Sequence, residues 1–135
     1  MYKIGVLDDD ETWCLIIERL LSKEFEVFTY RRVFSFLQEI NQYDLVIVDF
    51  SIPPAPYEKG MDGSEIIMHI KKTVPNPPLL VLVTGFLSAS NLEVGREICP
   101  EADAFIAKDA GIDAILKEIK RLLASKEKEN KPLAG

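Results

Sequence analysis

Five residues whose side chains bind metal ions or phosphate lie at the ends of short apolar runs. Asp8 and Asp9 follow the first run, Asp49 ends the second, Thr84 follows the third and Lys108 follows the fourth. Carboxylates bind hard cations such as Mg²⁺. A hydroxyl can donate a hydrogen bond to a phosphoryl oxygen, and an ammonium is a compact positive charge. Together these residues predict a site for a divalent cation and a phosphoryl group.

The apolar runs that precede these residues are typical of buried strands. Four of them read IGVL, LVIV, LLVLV and AFIA, and a fifth run alternates apolar with polar residues. The carboxyl ends of parallel strands meet at one edge of an open sheet, where such sheets bind ligands. The predicted strands cover residues 3–7, 25–30, 45–49, 79–83 and 103–107.

Helical periods separate the strands. In the first helix the spacing predicts a buried face of Trp13, Ile16, Ile17 and Leu20, with Thr12 as the cap.

The third helix has the form of a capping box, with Asp62 three residues before Glu65. A short fourth helix is predicted to start near Ser90 and Glu93.

Alternation of strands and helices predicts an α/β fold, a flavodoxin-like doubly wound sheet of five parallel strands in the order 2-1-3-4-5. Strand 25–30 is placed at an edge because its residues alternate. Residues 1–125 are predicted to form one domain. Residues 126–135, which include KEKENKPLAG, have no apolar face, and we expect a flexible tail or a truncated linker.

Composition excludes several functions. The 135 residues carry a net charge of -6, which argues against direct binding to nucleic acid. No apolar run approaches the roughly 20 residues of a membrane span, and the N-terminus lacks the pattern of a signal peptide. Cys14 and Cys99 are far from any metal-binding pattern, so we expect reduced thiols in a cytoplasmic protein with no membrane contact.

Crowded carboxylates predict both a raised pKa and a nucleophile. Three like charges in one cleft repel, so the pKa of at least one should rise, and a cation would relieve the repulsion. A carboxylate can itself attack a phosphoryl group. Asp49, at the end of the central strand, is the best candidate, and Lys108 is predicted to pair with it at rest and with phosphate afterwards. Phe105, three residues before Lys108, lies on the opposite face of the last strand from Lys108.

The motifs resemble those of the receiver domain of two-component response regulators over about residues 2–125. The matching segments read VLDDD, LVIVDFSIP, MDGSEII, LVTG and FIAK. The resemblance implies that Asp49 is the phosphoacceptor. It also implies an Mg²⁺ site made by Asp8, Asp9, Asp49 and the backbone carbonyl of Ser51.

The resemblance further implies a switch and its partners. Thr84 and Lys108 would sense the phosphoryl group, and Phe105 would be the aromatic residue that changes rotamer. The donor would be a sensor histidine kinase or a phosphotransfer protein, and the output protein is unknown. Such a domain is not an enzyme beyond its own phosphorylation and dephosphorylation, and its phosphorylated form can be a homodimer.

Three features depart from the family pattern. Asp109 follows Lys108 where the family usually has Pro, which predicts a trans peptide bond because a non-proline cis bond costs about 2.5–4 kcal/mol. The loop after Asp49 is longer than usual and rich in Pro over residues 53–56. The switch aromatic is Phe105, which has no hydroxyl to donate.

Two other functions compete with this interpretation. Asp8-x-Asp10-x-Thr12 fits the nucleophile motif of haloacid-dehalogenase-like phosphatases, with Asp10 as the acid. However, no further strand with an acidic pair follows Lys108, and Asp49 would have no role. A pseudo-receiver that binds partners without being phosphorylated is the second alternative, and the complete residue set argues against it.

Overall fold

Ten helices and strands alternate along the described chain. The computed structural model describes residues 1–52, 61–85 and 93–130. The elements are β1 (Lys3–Leu7), α1 (Glu11–Leu21), β2 (Glu26–Tyr30), α2 (Val33–Gln38), β3 (Leu45–Asp49), α3 (Gly63–Thr73), β4 (Leu79–Thr84), α4 (Glu93–Ile98), β5 (Ala104–Ala107) and α5 (Ile112–Asn130). Short 3₁₀ helices cover Ile40–Gln42 and Lys108–Ala110.

The five strands form one parallel sheet in the order β2-β1-β3-β4-β5, which confirms the predicted topology. β2 lies at an edge, as its alternating residues predicted. In the centre of the sheet Ile47 pairs with Val6 on one side and Val81 on the other. β3 is buried along its whole length, as expected for a central strand covered on both faces.

Two apolar cores cover the two faces of the sheet. One packs α1 and α5 against residues such as Ile47, and the other packs α2, α3 and Cys99, the residue after α4, against residues such as Val48. Because side chains alternate along a strand, neighbouring residues of β3 contribute to different cores. The sheet is thereby fixed from both sides, and the strand ends at its carboxyl edge take fixed relative positions.

The buried face of α1 differs from the predicted one. Cys14, Ile17 and Leu21 are the buried residues of α1, whereas Ile16 is 41% exposed. Asp10 caps the helix in place of Thr12, because its carboxylate accepts a hydrogen bond from the Trp13 N–H at 3.1 Å. The true face is shifted by about one residue, since a small thiol contributes to it as an apolar group.

The capping box of α3 is confirmed. The Asp62 carboxylate accepts from the Glu65 N–H at 2.9 Å, and the Glu65 carboxylate accepts from the Asp62 N–H at 3.2 Å. The predicted start of α4 at Ser90 and the Pro-rich segment 53–56 lie outside the described residues.

The last helix continues past residue 125, where a loose tail was predicted to begin. α5 extends to Asn130. The Lys126 ammonium donates to the Asp44 carbonyl at 3.1 Å, and the Tyr2 hydroxyl donates to the Glu127 carboxylate. These contacts accompany a helix that continues past the predicted domain boundary at residue 125, through Asn130.

The peptide bond after Lys108 has the predicted geometry. The described residues contain no cis peptide bond, so the Lys108–Asp109 bond is trans, as predicted. Within those residues, no helix is both long and apolar enough to cross a membrane.

Gly63 lets α3 begin directly against the end of β3. Its N–H donates to the Phe50 carbonyl at 2.8 Å, and a Cβ added at Gly63 would lie 2.2 Å from the carbonyl oxygen of Asp49. The neighbouring atom is backbone, which cannot move aside as a flexible side chain would. Any larger residue must therefore push α3 away from the strand that carries Asp49.

We expect Gly63→Ala to destabilise the fold by about 2 kcal/mol or more, because overpacking of this kind typically costs 1–3 kcal/mol. Urea unfolding followed by circular dichroism measures the loss. Gly85→Ala is the matched control, since a Cβ there meets nothing within 4 Å among the described residues and its φ is not positive. A Gly63→Ala protein as stable as the Gly85→Ala protein would contradict this account of the close approach.

Candidate functional site

The predicted chemical residues lie at the carboxyl ends of neighbouring strands. Asp8 comes one residue after β1, and Asp49 is the last residue of β3. Thr84 is the last residue of β4, and Lys108 comes one residue after β5. The backbone N–H of Phe50 donates to the Val83 carbonyl at 2.9 Å, so the β3 and β4 ends remain paired up to the site.

Three carboxylates converge at this edge. One oxygen from each of Asp8, Asp9 and Asp49 lies within 4.8 Å of the others. Asp8 is fully buried and Asp49 is 6% exposed, whereas Asp9 is exposed. One Asp8 oxygen accepts a hydrogen bond from the Asp10 N–H at 2.9 Å, which fixes the orientation of that carboxylate. The cluster therefore has two buried members and one that faces solvent.

Lys108 bridges the two buried carboxylates. Its ammonium lies 2.9 Å from Asp8 Oδ2 and 3.5 Å from Asp49 Oδ1. Pairing with Asp49 was predicted, but the shorter contact is with Asp8, which no sequence pattern indicated. One ammonium thus serves two buried carboxylates, and the site retains an excess of negative charge.

The environment of Asp49 favours the protonated form of its carboxyl group. Burial and then the charge of Asp8 raise the pKa of Asp49 to about 7, although Lys108 opposes the shift. Burial works against the charge of Lys108, but the ion pairs with Asp8 and Asp49 still leave its pKa above the usual value. The predicted rise of at least one carboxylate pKa therefore falls on Asp49.

Cys14 lies next to the cluster as a neutral thiol. Its Sγ donates to the Asp8 carbonyl at 3.4 Å, and burial, followed by the charge of Asp8, raises its pKa to about 11. Cys14 and Cys99 are both buried and free, as predicted. A thiol with such a high pKa is a poor nucleophile and metal ligand at neutral pH.

The carboxylate set fits a hard divalent cation. Asp8 Oδ2 is buried, and the Lys108 ammonium contacts it at 2.9 Å. The same ammonium also lies 3.5 Å from Asp49, so one positive charge serves two buried carboxylates and a divalent cation would reduce the remaining excess of negative charge. Mg²⁺ takes one or two protein carboxylates and keeps several waters, which suits a cluster that is open at Asp9.

Thr84 and Phe105 belong to the neighbouring strands β4 and β5. In the strand register Thr84 pairs with Ala107, and Leu82 pairs with Phe105. Because Leu82 and Thr84 are two residues apart, Thr84 lies on the sheet face that carries Phe105. Phe105 packs against Gly95 of α4 so closely that a Cβ there would lie 2.7 Å from the ring. The two residues therefore share one face of the sheet on adjacent strands.

Other sequence-predicted residues have different environments. Ser51 is exposed two residues after Asp49, and its carbonyl remains a predicted metal ligand. Asp10 is the helix cap of α1, so its carboxylate is engaged away from the acid role that the phosphatase interpretation gives it. Trp13, interpreted from sequence as partly buried core, also places its ring 5.0 Å from the Lys108 ammonium.

A doubly wound α/β domain with an acidic cluster and a lysine at the carboxyl edge of its sheet is the architecture of receiver domains. No family model matches the chain. Over 88 residues it is 33% identical to the two-component response regulator ARR11 of Arabidopsis thaliana, a match that covers 62% of this chain and 16% of that relative. The chain therefore corresponds to a small part of that longer protein.

Solved structures of receiver domains are similar to this chain over nearly its whole length. The CheY-like receiver domain protein from Methanospirillum hungatei JF-1 matches with a TM-score of 0.78 and 26% identity, covering 96% of this chain and 99% of that one. The BeF₃-activated receiver domain of DrrB, a Thermotoga maritima protein, matches with a TM-score of 0.74 and 27% identity, covering 92% and 98%. The relatives and the solved structures together support a response regulator receiver domain.

The raised pKa of Asp49 predicts how stability depends on pH without added metal. Between the usual carboxyl pKa near 4 and a folded value of about 7, the native state retains a proton that the unfolded chain releases. Stability therefore falls as pH rises through this window and levels off above it. Asp49→Asn removes this contribution, and we expect it to exceed the wild type by about 2 kcal/mol at pH 8.

Urea unfolding from pH 4.5 to pH 8.5 with a chelator present measures the difference between the two proteins. Glu97→Gln, which removes one exposed carboxylate from α4, should follow the wild-type slope. Parallel pH profiles for Asp49→Asn and the wild type would contradict a raised pKa at Asp49.

Proposed function

We propose that this receiver domain takes a phosphoryl group onto Asp49 from a phosphohistidine of a sensor histidine kinase or phosphotransfer protein. The observation that supports this most is the convergence of Asp8, Asp9 and Asp49 within 4.8 Å, with the Lys108 ammonium 2.9 Å and 3.5 Å from two of them. A nucleophilic carboxylate, a cation site and a counter-charge for phosphate are then adjacent.

In the transfer, an Asp49 carboxylate oxygen forms a bond to phosphorus while the phosphorus–nitrogen bond of the donor breaks. The electron pair of that bond stays on the imidazole nitrogen of the donor, and the product on Asp49 is an acyl phosphate. Lys108 offers its positive charge to the phosphoryl oxygens. Water later attacks the phosphorus and releases inorganic phosphate, so the domain returns to its resting state without being an enzyme for other substrates.

Asp8, Asp9, Asp49 and the Ser51 carbonyl would hold Mg²⁺. When bound, the cation neutralises charge on the phosphoryl oxygens and orients the group for in-line attack. Asp8 contributes a rigid buried oxygen, because its second oxygen is tied to the Asp10 N–H. Asp9 contributes an exposed carboxylate at the mouth of the site.

Signal output would follow from a shift between two populations of the same fold. Thr84 would donate its hydroxyl to a phosphoryl oxygen, and Phe105 would change its packing against Gly95. The surface of α4, β5 and α5 would then change its affinity for an unidentified output protein or for a second copy of the domain. The net charge of -6 makes direct binding to nucleic acid unfavourable, and we place the domain in the cytoplasm.

Incubation with acetyl phosphate and Mg²⁺ should add one phosphoryl group to the wild type, detected by intact-protein mass spectrometry. Asp49→Asn should abolish the adduct, because an amide cannot act as the nucleophile. Omitting Mg²⁺ should suppress it as well.

Asp10→Asn is the matched control, since Asn caps a helix as well as Asp does and the substitution removes the same charge. It should form the adduct at a rate within about twofold of the wild type. Phosphorylation of Asp49→Asn at the wild-type rate would contradict the assignment. Brisk turnover of p-nitrophenyl phosphate that is lost in Asp10→Asn would favour the phosphatase instead.

A further inference from the structure

Trp13 contacts the lysine of the site from the first turn of α1. The Lys108 ammonium lies 5.0 Å from the centre of the Trp13 ring, within the range of a cation–π interaction. Trp13 is the single tryptophan of the chain and is half-buried against the core that α1 and α5 share. Its N–H donates to the cap residue Asp10 at 3.1 Å, so the backbone that carries the ring is fixed.

Three side chains therefore surround the Lys108 ammonium at short distances. Asp8 and Asp49 contact it at 2.9 Å and 3.5 Å, and the centre of the indole ring lies 5.0 Å away. A lysine has a flexible four-carbon stem, so its position depends on what surrounds the charged end. The Lys108 side chain is 22% exposed, so it could also extend into solvent.

The contact between Trp13 and Lys108 matters because Lys108 lies closer to Asp8 than to Asp49. Asp8 alone would draw the ammonium towards itself, away from the residue that carries the phosphoryl group. The indole face offers an attraction that does not compete for the lone pairs of either carboxylate. Partial desolvation strengthens such an attraction relative to an exposed pair.

We propose that Trp13 is a positioning residue that keeps the Lys108 ammonium beside Asp49, and so increases affinity for the phosphoryl group without contributing to the cation site. The inference rests on the proposed phosphorylation of Asp49. It assigns Trp13 a role in the site through Lys108, in addition to its packing in the core.

Trp13→Leu tests the proposal, because leucine retains apolar bulk in the core and removes the aromatic face. Binding of BeF₃⁻, a phosphoryl mimic, is measured by ¹⁹F NMR in saturating Mg²⁺, and Mg²⁺ binding alone is measured by calorimetry. We expect BeF₃⁻ to bind about three- to tenfold more weakly to Trp13→Leu, with Mg²⁺ affinity within about twofold of the wild type. Trp13→Phe, which retains an aromatic face, should lose less.

Ile16→Ala is the control on the same helix, since Ile16 is 41% exposed and is outside the site. It should bind BeF₃⁻ as the wild type does. A second readout is independent of phosphoryl chemistry: ring current from the indole should shift the Lys108 methylene protons upfield in the wild type, and the shift should vanish in Trp13→Leu.

Undiminished BeF₃⁻ binding by Trp13→Leu, or Lys108 protons that do not change, would overturn the role of Trp13. A loss of Mg²⁺ affinity equal to the loss of BeF₃⁻ affinity would also overturn it, because it would indicate general distortion of the site. Failure of the wild type itself to bind BeF₃⁻ with Mg²⁺ would instead defeat the proposed phosphorylation, and that result is separate from any effect of Trp13.

Discussion

Repulsion among three carboxylates, balanced by one ammonium, is the constraint on which the rest of this structure depends. Asp8 and Asp49 are buried, and both use the charge of Lys108. Burial and mutual repulsion disfavour two ionised carboxylates at these positions, as the raised pKa of Asp49 indicates. The two apolar cores and the paired strand ends must supply the free energy that keeps the carboxylates together. The close approach at Gly63 contributes to this support, because it fixes α3 against the strand that carries Asp49.

A site that is unfavourable by itself responds strongly to ligands. A cation that binds only the folded arrangement relieves the repulsion and stabilises it by mass action. A phosphoryl group on Asp49 would change the charge balance again, since Lys108 would then have phosphate oxygens beside it. Because Thr84 and Phe105 lie on one face of adjacent strands, a movement at the phosphoryl group has a short path to the packing of Phe105 against Gly95. Such a path would allow the proposed phosphorylation to shift an existing equilibrium between two states.

Sequence alone predicted the topology well because buried parallel strands are distinctive. The edge position of β2 followed from its alternating residues, and the capping box of α3 followed from Asp62 and Glu65. The predicted buried face of α1 was wrong by about one residue, because helical spacing alone does not show that Cys14 is buried in place of Ile16. Helix α5 also continues past the predicted boundary at residue 125, because the polar contacts of Lys126 with Asp44 and of Glu127 with Tyr2 leave no periodic signal.

Within the site, residue types were predictable and their partners were not. Spacing placed carboxylates and a lysine at one edge of the sheet, but only side-chain geometry shows that Lys108 lies closer to Asp8 than to Asp49. The reason lies in the turn before α1. The Asp10 N–H orients one Asp8 oxygen, and the other then faces Lys108. The same Asp10 residue caps α1 through its carboxylate at Trp13, so one turn of chain fixes both a buried carboxylate and an aromatic ring close to the lysine. The start of α1 is thus part of the functional site, and a change in its capping would reach Lys108 through Asp8 and Trp13 together.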